Sequence, residues 1–182
     1  MSTMSKNLQT ITLGGGCFWC IEAAYNQVKG IETAVSGYMG GTRETAAYRP
    51  VSQGLTDHAE VVQLTFDAND INIREILEIF FSLHDPTQLN RQGNDVGRQY
   101  RSAIFYHDAD QLEQAISIIA EINADQIWPN PVVTEVTEAL EFFSGEQYHQ
   151  GYFNQNPENR YCQAIISPKL SKFKQTFAEK LK

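Results

Sequence analysis

Residues 9–28 read QTITLGGGCFWCIEAAYNQV, and this stretch decides the fold. Residues 9–13 alternate as a strand does, and three glycines end the pattern. Ile21, Ala24, Tyr25 and Val28 then recur at helical spacing, with Gly30 as a stop, which predicts a helix over 18–28. A strand therefore runs through a glycine turn into a helix, and Cys17 stands at the helix start. Glycine lets the backbone turn tightly there and come close to a ligand. The exposed N–H groups and positive dipole end of a helix start stabilise a thiolate, so the position predicts a lowered pKa for Cys17. The plainer alternative is a small buried core thiol.

Working outward, residues 31–39 and 60–66 read as strands, and 40–57 is a loop long enough to suggest function. A helix is predicted over 72–83, with Asn72 as N-cap and Glu75 three residues on. Residues 84–99 are irregular, and 101–107 form a strand. Residues 108–124 form a helix capped by Asp108, with Gln111 at the capping-box position, and 132–137 form a strand. Residues 145–161 are polar and aromatic. Ser167-Pro168 starts a last helix with Leu170, Phe173 and Phe177 on one face. This order favours one catalytic domain over 1–182, of α+β class. The expected architecture is a split-βαβ, ferredoxin-like sandwich with a mostly antiparallel sheet and a long irregular C-terminal tail.

The 182 residues carry a formal net charge of −8, which argues against nucleic acid or an anionic membrane as partner. The N-terminus has no apolar signal-peptide core, and no window is apolar enough to span a bilayer, so a cytoplasmic location is expected. No apolar interface stripe stands out, which makes a monomer the default. In that compartment three cysteines do not form a disulfide framework. Cys20 lies one helical turn beyond Cys17, on the same face, with the spacing of a redox pair. A zinc site built from these thiols with Cys162 and His149 would have an odd spacing, so no metal is expected.

Glu60 shares a strand face with Val62, Leu64 and Phe66. At the end of an apolar face, desolvation raises a carboxyl pKa, and a neutral acid can then give a proton to a substrate oxygen. If the strand ended earlier, Glu60 would escape to solvent. Tyr48 and Tyr100, in or beside polar loops, are candidate hydroxyl donors. Phe18 and Trp19 offer faces that suit a methyl group or sulfur, although Phe18 also reads as core. Asp95 reads as a turn residue, and His58 and His149 as hydrogen-bonding structural residues rather than bases. On these residues alone a general dithiol-disulfide oxidoreductase using Cys17 and Cys20 is the alternative.

Several motifs now stand together: Gly-Gly-Gly-Cys-Phe-Trp-Cys at 14–20, Ser-Gly-Tyr at 36–38, His-Ala-Glu at 58–60, His-Asp-Pro-Thr at 84–87, Asn-Arg-Gln-Gly-Asn-Asp-Val-Gly at 90–97, Gln-Tyr-Arg-Ser at 99–102 and Tyr-His-Gln at 148–150. In this order and over nearly the whole chain, the sequence resembles the peptide methionine sulfoxide reductases of the A type. The resemblance implies that Cys17 is the catalytic cysteine and that Phe18 and Trp19 hold the substrate methyl group. It implies that Glu60 protonates the sulfoxide oxygen, that Tyr48 and Tyr100 bind it, and that Asp95 helps to position substrate. It further implies action on the S-epimer, free or in a peptide, without cofactor or metal, and recycling by thioredoxin. Thr45-Ala46-Ala47 before Tyr48 and Asp57 before His58 depart from the family's usual residues. Many members have Gly where Cys20 stands, so both Cys162 and Cys20 are candidate resolving thiols, with Cys162 ahead.

Overall fold

The computed structural model describes residues 5–156, 158–161, 164 and 166–182. In chain order the strands are β1 (Leu8–Gly14), β2 (Ile31–Met39), β3 (Ala59–Asp67), β4 (Arg91–Gln92), β5 (Asp95–Val96), β6 (Ala103–Tyr106), β7 (Glu135–Glu138) and β8 (Phe143–Ser144). The helices are α1 (Phe18–Tyr25), α2 (Tyr48–Ser52), α3 (Ile73–Leu83), α4 (Ala109–Ala124), α5 (Tyr152–Gln155) and α6 (Ser167–Thr176).

Six strands form one sheet in the order β7-β6-β1-β3-β2-β8, and β4 and β5 form a separate small hairpin. β3 lies between β1 and β2, with Leu64 opposite both Ile11 and Ala34 and Glu60 opposite Tyr38. One sheet face, carrying Ile11, Leu13, Val62, Leu64, Phe66 and Ile104, packs into the main core with α1, α3, α4 and α6. The other face carries a smaller cluster of Met39, Ala59, Val61, Ala103 and Phe105. Strand alternation produces this split: neighbouring residues of β3 serve opposite clusters.

The α+β class holds, but the mostly antiparallel, ferredoxin-like sandwich does not describe this molecule. The sheet is mixed, because β7 runs parallel to β6, with Ile104 opposite Val136. The cause is the connection between them. The 16-residue helix α4 carries the chain back along the sheet, and a strand-helix-strand crossover returns the next strand in the same direction. Part of the expected irregular tail also joins the sheet: two-residue β8 pairs with β2, too short for alternation to reveal. The second correction concerns α1, which stops at Tyr25 because residues 27–29 bond to the chain's last residues instead. Gln27 O accepts from Lys182 N–H, and Lys29 N–H donates to Lys180 O.

The predicted caps form. Asn72 and Glu75 make a reciprocal capping box at α3. Asp108 accepts from Gln111 N–H, while the Gln111 side chain turns away to His107 N–H and Thr10 O. Among the described residues no helix is long and apolar enough to cross a membrane.

Candidate active site

The site begins where β1 runs out. Gly16 adopts φ +87°, and a Cβ there would stand 2.9 Å from Gln92 Cγ; a Cβ on Gly15 would stand 3.1 Å from the His84 ring. The glycines therefore let the loop pack flush against both side chains, and Gly16 N–H is held by Tyr100 O at 3.2 Å. Cys17 follows as the N-cap of α1, with extended φ and ψ of −66° and 129°. Gly16→Ala is expected to cost about 1–2 kcal/mol through the left-handed backbone alone, with a further cost from Gln92. Urea unfolding measures this, and unchanged stability would show that the loop yields freely.

Beneath the helix start lies Glu60, the second residue of β3 and only 1% exposed. It occupies the apolar face that alternation gave it. Phe18 N–H donates to Glu60 Oε1 at 3.2 Å. Burial pushes the Glu60 carboxyl up to about 8; the Phe18 N–H pulls the other way, and the Asp95 charge adds to the rise. Glu60 therefore carries a proton at neutral pH. Its carbonyl oxygen accepts from Phe18, leaving the O–H free to donate elsewhere.

Cys17 departs from the sequence reading. Its thiol is held well above the ordinary range, by burial first and then by the repulsion that Glu60 and Cys20 would exert once ionised, with Asp95 adding less. Only the Trp19 N–H acts to lower it. The expected lowering fails for a visible reason: Phe18 N–H, one of the helix-start donors, is spent on Glu60. Desolvation then outweighs what remains. At neutral pH both Cys17 and Glu60 are thus protonated.

Tyr48 opens α2, and Tyr100 ends the turn whose carbonyl holds Gly16. Burial, then the charges of Glu60 and Cys17, push the Tyr48 hydroxyl up to about 12. The Tyr100 hydroxyl rises further, by burial, Glu60, Asp95 and Cys17 in that order. Both phenols are therefore neutral donors within electrostatic reach of the same thiol and carboxyl.

An aromatic wall completes the cluster. The Trp19 ring stacks on Tyr152 at 3.8 Å and 8°, and Tyr161 stands edge-on to it at 6.0 Å. Trp19 Nε1–H donates to His149 Nδ1 at 3.1 Å. Burial lowers the His149 pKa, keeping the ring neutral, so its own proton sits on Nε2. Tyr161 Oη donates to Asp95 at 2.6 Å. Phe18 is wholly buried, 5.8 Å from the Tyr38 ring and 5.2 Å from His149.

All described candidates lie together: Cys17, Phe18 and Trp19 at the start of α1, Glu60 below, and Tyr48, Tyr100 and Asp95 around them. Cys20 is buried one turn along α1, with its N–H on Cys17 O at 3.2 Å. Cys162 lies outside the described residues. His149 and His58 are structural as read; His58 Nδ1 accepts Gly41 N–H, and Nε2 donates to Thr42 O. Sequence reading missed Tyr152 and Tyr161, whose only signal was the density of aromatics over 148–161, and Glu146, which had none. Among the described residues no group of three His, Cys, Asp or Glu side chains is arranged to hold a metal ion.

A thiol at a helix start, beside a neutral carboxyl and two neutral phenols, defines a cysteine-dependent enzyme that acts on a polar oxygen next to an apolar group. The family model described as "Peptide methionine sulfoxide reductase" matches residues 9–181, and the chain belongs to this family. The peptide methionine sulfoxide reductase MsrA of Chromobacterium violaceum is 49% identical over 174 residues, covering 96% of this chain and 99% of that protein. The crystal structure of Mxr1 from Saccharomyces cerevisiae in reduced form superposes with a TM-score of 0.78 at 33% identity, over 89% of this chain and 92% of that one. Mxr1 in complex with Trx2 gives 0.55 at 25% identity, over 83% and 91%.

Proposed function

We propose that this chain, as one catalytic domain and a monomer, reduces the S-epimer of methionine sulfoxide, free or in proteins, through Cys17. The observation that supports it best is the neutral Glu60 held under the thiol by Phe18 N–H. A plain dithiol exchanger has no use for an acid beside hydroxyl donors, whereas a sulfoxide oxygen needs both.

In this reading Glu60 and the hydroxyls of Tyr48 and Tyr100 bind the sulfoxide oxygen and draw electrons from its sulfur. Trp19, the partly exposed ring of the pair, meets the methyl group. Phe18 backs it, and Asp95 positions the substrate with Tyr161 on its carboxylate. Cys17 sulfur attacks the substrate sulfur as Glu60 gives its proton to the oxygen and regains the one that the thiol loses. The hydroxyl then passes from the substrate sulfur to Cys17 sulfur: a Cys17 S–O bond forms as the substrate S–O bond and the transient S–S bond both break, methionine leaves, and Cys17 is left as a sulfenic acid. A second thiol, Cys162 first and Cys20 as the alternative, displaces water from it and forms a disulfide. Thioredoxin then reduces that disulfide with two electrons by thiol exchange. The complex of the similar Mxr1 with Trx2 supports this choice of reductant. A cytoplasmic location belongs to the same reading, since a catalytic disulfide is transient in a reducing compartment.

The test is incubation with each sulfoxide epimer and dithiothreitol. Methionine is expected from the S form alone; none from either would refute the proposal.

A further inference from the structure

The segment just after β8 does more than follow the sheet edge. Gly145 N–H donates to Ser36 O at 2.7 Å, and the Gln150 side chain bonds both the N–H and the O of Ser36, at 3.1 and 2.9 Å. Residues 145–150 are thereby clamped to β2. Between these anchors stands Glu146, partly buried, whose two carboxylate oxygens reach different elements. Oε1 accepts the Tyr38 hydroxyl at 2.8 Å, and Oε2 accepts the Tyr48 backbone N–H at 3.0 Å.

The second contact fills a local gap. Tyr48 is the first residue of α2, and its N–H is one of those a helix start leaves without an internal partner. The preceding residue is Ala47, which has no side chain able to cap it. Glu146 supplies that cap from 98 positions away. The first contact fixes the carboxylate itself, because Tyr38 is fully buried in β2, directly opposite Glu60. Burial works against the Glu146 charge, but Tyr48 N–H and the Tyr38 hydroxyl outweigh it and hold the pKa low.

We propose that Glu146 is a positioning residue for the reaction: by holding the backbone of Tyr48 against β2, it aims the Tyr48 hydroxyl at the substrate oxygen without touching substrate. The Tyr48 ring sits 4.4 Å from His149 and 6.4 Å from Trp19. A loosened start of α2 would carry it away from these rings. The inference rests on the reading of Tyr48 as an oxygen-binding donor.

The experiment is the single-turnover rate of methionine release at saturating methionine sulfoxide, with thermal unfolding of each variant alongside. Glu146→Ala is expected to lower the rate about tenfold, the worth of one hydrogen bond made in the transition state. Glu146→Gln restores most of it, because the amide oxygen still accepts Tyr48 N–H and the amide nitrogen donates to the Tyr38 oxygen. Tyr38→Phe removes the contact that fixes the carboxylate; it lowers stability and lowers the rate by less than Glu146→Ala does. In a Tyr48→Phe background Glu146→Ala has no further effect on rate. A wild-type rate for Glu146→Ala, or an undiminished effect in the Tyr48→Phe background, overturns the proposal. If Tyr48→Phe alone matches wild type, the role of Tyr48 fails first, and the proposal falls with it.

Discussion

Glu60→Gln is expected to slow methionine release in a single turnover by about 100-fold or more at pH 7, the lower end of what a positioned general acid contributes. The amide keeps a hydrogen-bond donor of nearly the same shape, so substrate binding is largely retained and the loss falls on the rate at saturation. The pH profile separates the acid role from a packing role. Glu60 holds its proton up to about pH 8, so the wild-type rate should fall as the pH rises through that value. The Gln variant, with nothing to titrate there, should lack this limb. Stability should move the opposite way. A carboxyl whose pKa is raised in the folded state destabilises the fold once the pH exceeds its unfolded value, near 4.5, and the cost grows until the folded pKa is reached. At pH 7 the cost is about 3 kcal/mol. Glu60→Gln should therefore be more stable than wild type at pH 7 and equal to it at pH 4, as urea unfolding at the two values would show. A wild-type rate would remove Glu60 from the acid role. Equal stability at pH 7 would mean that the buried carboxyl is not held neutral.

What the sequence revealed of this site follows the range of each interaction. Spacing and alternation are local signals, so Cys17 stands at a helix start and Glu60 on the apolar face of β3, as their neighbours dictate. The Asn72–Glu75 capping box spans three residues and was equally legible. The contacts that build the aromatic wall are not local. Trp19 bonds to a histidine 130 positions away, Asp95 to a tyrosine 66 away, and Tyr48 to Glu146 98 away. No pattern in a single chain announces such pairs. The direction of β7 was hidden differently: strand and helix were both visible around α4, but the expected antiparallel sheet took precedence over what a strand-helix-strand unit dictates. The sign of the Cys17 shift was missed because the reading credited the helix start with its donors. It did not count Glu60 as a competitor for one of them. Burial first, with Glu60 taking one of the helix-start donors, keeps the Cys17 thiol protonated, and a protonated thiol resists adventitious oxidation.

Cys162→Ser is expected to leave the first turnover intact and abolish turnover supported by thioredoxin. Once Cys17 is a sulfenic acid, the next step needs a thiol that can approach it. Cys20 is close along the helix, but it is buried in the core at 7% exposure while Cys17 keeps a partly exposed edge. Its backbone N–H is bonded to Cys17 O within the first turn of α1. Cys162 directly follows Tyr161, and Tyr161 is already at the site, its hydroxyl on Asp95 and its ring against Trp19. The measurement counts methionine released per enzyme, first without reductant and then with thioredoxin. One equivalent followed by no further release supports Cys162 as the resolving thiol. Undiminished multiple turnover would assign that step to Cys20, and Cys20→Ser in the same background should then stop it.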